Sequence, residues 1–201
     1  MTGTESELFG LVGTQLLGSS SNDISWGITK GNDGSIYITG ETLGDLDGQI
    51  NSGDYDAFIS KFDSQGNKEW TRLLGSYAED YSEGITKGND GSIYITGDTN
   101  GNLDGQTNNG GFDAFVSKFD SQGNKEWTKL LGSSSHDYAY EIATGYDGSI
   151  YITGGTAGDL GDQANNGGFD AFISKFDSEG NKDWTKLLGS SSHDYAYEIA
   201  T

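Results

Sequence analysis

Three acidic segments, spaced 57 residues apart, are the first candidates for chemistry: Gly44-Asp45-Leu46-Asp47-Gly48-Gln49, Gly101-Asn102-Leu103-Asp104-Gly105-Gln106 and Gly158-Asp159-Leu160-Gly161-Asp162-Gln163. Asp-x-Asp-Gly places carboxylates on alternate residues and a glycine at the bend, which suits a loop wrapping oxygens around a hard cation. Calcium takes about six to eight such oxygens, so backbone carbonyls and neighbours such as Asn51, Asp54 or Asp56 must complete any site. Asp45, Asp47, Asn102, Asp104, Asp159 and Asp162 are therefore the candidate ligands, with calcium as the cofactor they imply. The motif is short, lacks a closing glutamate, and the third copy transposes Gly and Asp. The competing reading is a solvated acidic loop whose Asp and Asn side chains cap their own turns.

A second segment, Ser133-Ser134-Ser135-His136-Asp137-Tyr138, recurs at Ser190 to Tyr195. Adjacent Ser, His and Asp do not make a triad, because neighbours on an extended chain point to alternating sides. Asn22 and Glu79 replace the histidine in the earlier copies, whereas Asp23, Asp80, Asp137 and Asp194 occur in all four. A shared aspartate of this kind is expected to bond backbone where units meet. Tyr138, Tyr140, Tyr195 and Tyr197 are the candidates for stacking on a ligand such as a sugar, with packing as the alternative role. Trp70, Trp127 and Trp184 recur once per copy and are expected to fill the space between neighbouring units.

These residues must be positioned by a repeat. Asp56 to Asp63 returns at Asp113 and Asp170, and Gly34 to Gly40 returns at Gly91 and Gly148, always 57 residues on. Each period predicts four short strands: A around Ile28, B around Ile36, C around Phe58 and D around Trp70. Asp33-Gly34 marks a tight turn between A and B, and Gly66 one between C and D. No segment carries a sustained helical period. Four antiparallel strands per unit, joined by two tight turns and two longer connections, predict an all-β fold, a β-propeller of four-stranded blades. A β-solenoid and a β-sandwich compete less well, since solenoid coils are shorter and a sandwich needs no strict period. In a propeller the D-to-A and B-to-C connections share one face, which makes that face the expected binding surface.

The run Gly-Ser-Ile-Tyr-Ile-Thr-Gly, then Asp-Ala-Phe-Ile/Val-Ser-Lys-Phe-Asp-Ser-x-Gly-Asn-Lys-x-Trp, then Leu-Leu-Gly-Ser, resembles the bacterial SBBP-type β-propeller repeat from about Leu16 to Thr201. The resemblance implies the fold and, weakly, a bacterial surface or exterior setting; it implies no activity. The expected organisation is a polar tail over 1–10 and a repeat domain over 11–201. Complete blades are expected at about 26–74, 83–131 and 140–188, with partial strands at 11–17 and 197–201. Three complete blades form an incomplete ring. Either the chain is part of a longer array, or copies of it self-associate to complete the ring.

Composition narrows the function. Eleven basic residues against 31 acidic ones give a net charge of −20, which repels nucleic acid and anionic membranes. No apolar run approaches the roughly 20 residues of a membrane span. Cysteine is absent, which excludes disulfides and thiolate sites. The opening Met1-Thr2-Gly3-Thr4-Glu5-Ser6-Glu7 is polar and acidic rather than basic and then apolar. The sequence predicts a non-catalytic binding scaffold with several equivalent weak sites for a protein or glycan. A calcium-dependent or glycan-binding module comes next, and an enzyme third, because identical repeats lack an asymmetric catalytic constellation.

Overall fold

The computed structural model describes residues 15–201. Twelve strands follow one another there, with no helix among the described residues. The first sheet holds β1 (Asp23–Lys30), β2 (Ile36–Thr42), β3 (Asp56–Phe62) and β4 (Lys68–Leu74). The second holds β5 (Asp80–Lys87), β6 (Ile93–Thr99), β7 (Asp113–Phe119) and β8 (Lys125–Leu131). The third holds β9 (Asp137–Thr144), β10 (Ile150–Thr156), β11 (Asp170–Phe176) and β12 (Lys182–Leu188). Each sheet is antiparallel and ordered as in the chain.

Local chemistry makes the tight turns. Ser35 N–H donates to Asp33 Oδ1 at 3.0 Å, closing the β1–β2 turn. Gln65 and Asn67 N–H both donate to Asp63 Oδ1 at 2.8 Å, closing the β3–β4 turn. Such side-chain mimicry of a backbone turn is what Asx residues supply.

The sheets pack as successive blades of a β-propeller, β5 lying beside β1 and β9 beside β5. The core consequently lies between blades rather than within one. Tyr37, Ile59 and Leu74 of the first sheet meet Ile85, Ile93, Ile95 and Phe115 of the second. The corresponding residues Tyr94, Val116 and Leu131 meet Ile142, Ile150, Ile152 and Phe172 of the third. Trp70 and Trp127 pack against these cores, and Trp70 lies against the β7–β8 turn of the next blade at Gly123.

The outer sheets leave equivalent positions open. Ile28 is 70% exposed where Ile85 is 7%, and Leu188 is 79% exposed where Leu131 is 6%. The three blades do not close on themselves. Of the two expected partial strands, 11–14 lie outside the described residues and 15–19 carry no strand. Residues 189–201 also carry no strand, although Ala196 N–H donates to Gly154 O at 3.2 Å and Thr201 Oγ1 to Thr144 O at 2.8 Å. That segment follows the inner edge of the third blade with too few ladder bonds to count as a strand.

Candidate functional site

The B-to-C and D-to-A connections interlock at one end of the blades. Leu43 N–H donates to Asn22 O at 2.9 Å, and Asp80 N–H to Tyr55 O at 2.7 Å, so each B-to-C loop bridges its own blade's entry and the next. Asp80 Oδ2 accepts from Ser76 N at 2.5 Å and Asp137 Oδ2 from Ser133 N at 2.6 Å. This is the backbone role expected of the shared aspartates. His136 Nδ1 accepts from Phe112 N at 3.2 Å, and His193 Nδ1 from Phe169 N at 3.1 Å. Asp137 bonds to Ser133 and Thr156. Ser135, His136 and Asp137 thus serve three separate backbone tasks rather than one catalytic relay.

The acidic loops use their side chains internally. Asp45, Asn102 and Asp159 each accept a backbone N–H six residues on, from Asn51, Asn108 and Asn165, at 2.9 Å. Asp47 and Asp104 pair with Lys68 and Lys125. Among the described residues no three acidic or histidine side chains converge as a metal-ion site. The transposition in the third copy has a turn-geometry cause. Leu46 bridges Gln49, Leu103 bridges Gln106 and Leu160 bridges Gln163 across two central residues. Asp47 and Gly48 both have positive φ (54° and 75°), as a type I′ turn requires. In the third copy only Gly161 is positive (62°), the first-position glycine of a type II′ turn, which leaves Asp162 in ordinary φ space.

The four tyrosine candidates do come together, within a larger aromatic array. Phe112 lies 5.6 Å from Tyr138, which lies 5.6 Å from Phe169, and Phe169 lies 5.2 Å from Tyr195. Tyr140 stacks on Tyr197 at 5.1 Å and approaches Tyr138 at 6.4 Å. Tyr55 and Tyr81 extend the array into the first blade at 5.6 and 5.8 Å. The rings alternate between the start of strand C in one blade and the start of strand A in the next. Tyr55, Phe112 and Phe169 were not among the sequence candidates. Their 57-residue spacing, one residue before each strand C, was the signal available.

Strand A also carries a β-bulge in every blade. Pairing shifts between Ser25 and Gly27, between Ser82 and Gly84, and at Tyr140, where Ala139 and Glu141 face consecutive residues. The extra residues are Trp26, Glu83 and Tyr140, so one repeat position bears three chemistries. Bulges re-aim side chains and recur beside functional sites. Gly97 makes the geometry possible: a Cβ there would lie 1.9 Å from Tyr81 O.

Strand B adds Glu41 and Asp98 at one repeat position, 4% and 2% exposed. Trp26 Nε1 donates to Glu41 Oε2 at 2.7 Å. Burial raises Glu41 to about 7 despite that bond. Burial, then the neighbouring Glu41, raises Glu83 to about 7. Asp98 is raised well above the ordinary range by burial, then by Glu83, Glu41 and Asp80. On the opposite end, by contrast, charges are neutralised: Lys61 pairs with Asp33 and Glu69, and Lys118 with Asp90 and Glu126.

The SBBP beta-propeller repeat profile matches residues 69–104 and 126–161. The regulatory protein FlaEY of Caulobacter vibrioides is 28% identical over 195 residues, covering 84% of this chain and 20% of its own length. The chain thus spans about a fifth of that curated relative. A crystal structure of a protein of unknown function from Bacteroides caccae aligns with TM-score 0.40 and 11% identity, over 85% of this chain and 69% of that one.

Proposed function

We propose that this chain, which carries SBBP beta-propeller repeats, is a non-catalytic scaffold that holds a protein or glycan ligand on its loop-face end. The observation supporting this is the aromatic array running from Tyr55 to Tyr197 across all three blades. An array of rings spaced by the blade repeat offers several similar contacts to one extended ligand, and linked weak contacts multiply. The histidines, the only ones in the chain, both accept backbone N–H bonds, which favours recognition over acid–base chemistry. A relative carrying the name regulatory protein is compatible with a scaffold, at 28% identity and over a fifth of its length.

Peptide and glycan arrays probed with the intact chain and with Tyr138→Ser test the proposal. Capture of one ligand class, reduced several-fold in the variant with its circular dichroism unchanged, is expected. Capture of neither class, or capture indifferent to Tyr138, overturns it. The open faces of the outer blades, with Ile28 and Leu188 exposed where siblings are buried, fit a further blade. We propose that a second copy or a neighbouring repeat supplies it.

A further inference from the structure

We infer that the inner end of the loop face is a site for an ammonium group, held by Glu41, Glu83 and Asp98 among the rings of Tyr81, Tyr138 and Tyr140. The inference deepens the scaffold reading by naming what the surface selects, and it rests on that reading.

Four strands from three blades build the site: β2 brings Glu41, β5 brings Tyr81 and Glu83, β6 brings Asp98, and β9 brings Tyr138 and Tyr140. Asp98 carries the inference furthest. It is 2% exposed and has no hydrogen-bond or ion-pair partner among the described residues. Its side chain projects from the same face of its strand as Thr96. In the first blade the equivalent Thr39 reaches the next blade's Ser82 at 2.6 Å, so this face looks across the blade junction. The third blade shows what stands opposite. A Cβ on Gly155, the equivalent of Asp98, would meet the Tyr195 ring at 2.6 Å, and Tyr138 is the equivalent ring for Asp98.

A buried unpaired carboxylate is costly unless a counter-charge joins it. None of the chain's own cations does so here. The lysines in ion pairs are engaged elsewhere, and only carboxylates contribute charge to the ionisation of Glu41's neighbours Glu83 and Asp98. An external ammonium would meet carboxylates for charge pairing and ring faces for cation–π attraction, a combination worth more in a desolvated site. The bulge at Glu83 turns that carboxylate out of the ladder toward the same space. A metal ion fits less well, since no three of the described acidic groups converge as ligands and the rings offer it no oxygens in exchange for its hydration.

The groups facing Asp98 from the packed elements are Glu41, Asp80, Glu83, Tyr138 and Tyr140. All are acids. Raising the pH therefore ionises the site while an alkylammonium stays protonated, and binding must strengthen from pH 6 to pH 8.

Calorimetry on the intact chain tests this with two probes of one chemistry: n-butylammonium, and a capped Gly-Lys-Gly peptide. A capped Gly-acetyl-Lys-Gly peptide serves as the neutral control. At least one ammonium probe is expected to bind about tenfold tighter at pH 8 than at pH 6, the change one carboxylate titrating near pH 7 gives. The control peptide is expected to give no heat. Tighter binding of the peptide than of butylammonium assigns the source to polypeptide lysines, and the reverse to free amines. Asp98→Asn, which removes a buried charge and should fold at least as well, is expected to weaken binding tenfold or more. Glu179→Gln lies on the opposite end, at a position where the siblings carry Gln65 and Gln122, and should leave binding unchanged. No binding by either ammonium probe, equal weakening by both variants, or equal binding of the acetylated peptide overturns the inference. In each case array capture that depends on Tyr138 would leave the scaffold reading standing.

Discussion

Stability should fall as pH rises from 5 to 8, the reverse of what paired surface carboxylates produce. Glu41 is the group from which to work the magnitude. It is 4% exposed, and burial lifts it from 4.5 to about 7. Where the folded value exceeds the unfolded one, the folded state holds the proton more tightly, so the stabilisation is complete below 4.5 and lost as pH rises through 7. A shift of this size corresponds to about 3 kcal/mol. In a chain of this length that is roughly 6–12 °C in Tm. Glu83 and Asp98 act in the same direction. Asp63, Asp120 and Asp177 are held low, the first and third mainly by asparagine side chains and Asp120 by Asn124 against a desolvation penalty. Their contribution is present above the unfolded value and lost only as pH falls through their lowered values, so the optimum lies near pH 4–5. Thermal melts from pH 4.5 to 8.5 on the parent and on Glu41→Gln provide the assay. Gln keeps an acceptor for Trp26 Nε1 and removes the charge. The variant should match the parent at pH 4.5 and exceed it at pH 8. A Tm that rises from pH 5 to 8, or a Glu41→Gln slope identical to the parent's, refutes the reasoning.

Three further outcomes follow from the geometry. Gly97→Ala should prevent folding of the second blade or cost several kcal/mol, because its Cβ would fall 1.9 Å from Tyr81 O. Gly48→Ala, with φ +75° and open space around it, should cost only about 1 kcal/mol by denaturant titration. Exchanging Gly161 and Asp162 to Asp-Gly should restore a type I′ turn, place a carboxylate near Lys182, and change stability by less than about 1 kcal/mol. In the same melts, millimolar calcium should leave Tm unmoved in parent and exchange variant alike, since the loop carboxylates already cap turns or pair with lysine; a calcium-dependent rise would reinstate the metal reading. Light scattering should report a species larger than a monomer, with the exposed Ile28 and Leu188 faces covered; a stable monomer at micromolar concentration would count against self-association.

The blade architecture was legible because its determinants are local and repeated. Asp33-Gly34 and Asp63 to Gly66 dictate turns by their own hydrogen bonds, and Ile36 to Thr39 dictates a buried strand. The tyrosines at 138, 140, 195 and 197 could be named for the same reason. Glu41, Glu83 and Asp98 could not. In the sequence they are three ordinary acids among 31, on different strands. Only the packing of β2, β5, β6 and β9 makes them neighbours, and only burial makes them unusual. The acidic loops failed in the opposite way. Their spacing advertised calcium, yet alternate carboxylates in a two-residue turn serve equally to cap it, and lysines 21 residues on consume the rest.

Comparing the copies separates what the fold demands from what it leaves free. Strand C and the turn after it are nearly invariant, from Asp56-Ala57-Phe58 to Gly66-Asn67-Lys68 and its siblings, because each blade must present the same wedge to the next. The substitutions concentrate on strand A and at the strand-B carboxylate: Trp26, Glu83 and Tyr140 at the bulge, Ile24, Tyr81 and Tyr138 beside it, Glu41, Asp98 and Gly155 opposite. Ordinary surface drift would scatter over exposed polar positions and favour small, solvated residues. Here large aromatics and buried acids replace one another on a fixed bulge held by the Gly40, Gly97 and Gly154 contacts. Neither packing nor solubility selects Trp, Glu and Tyr at a single half-covered position. A surface shaped to discriminate among ligand groups does, and the invariant half of each blade is the frame that keeps those differing side chains in register.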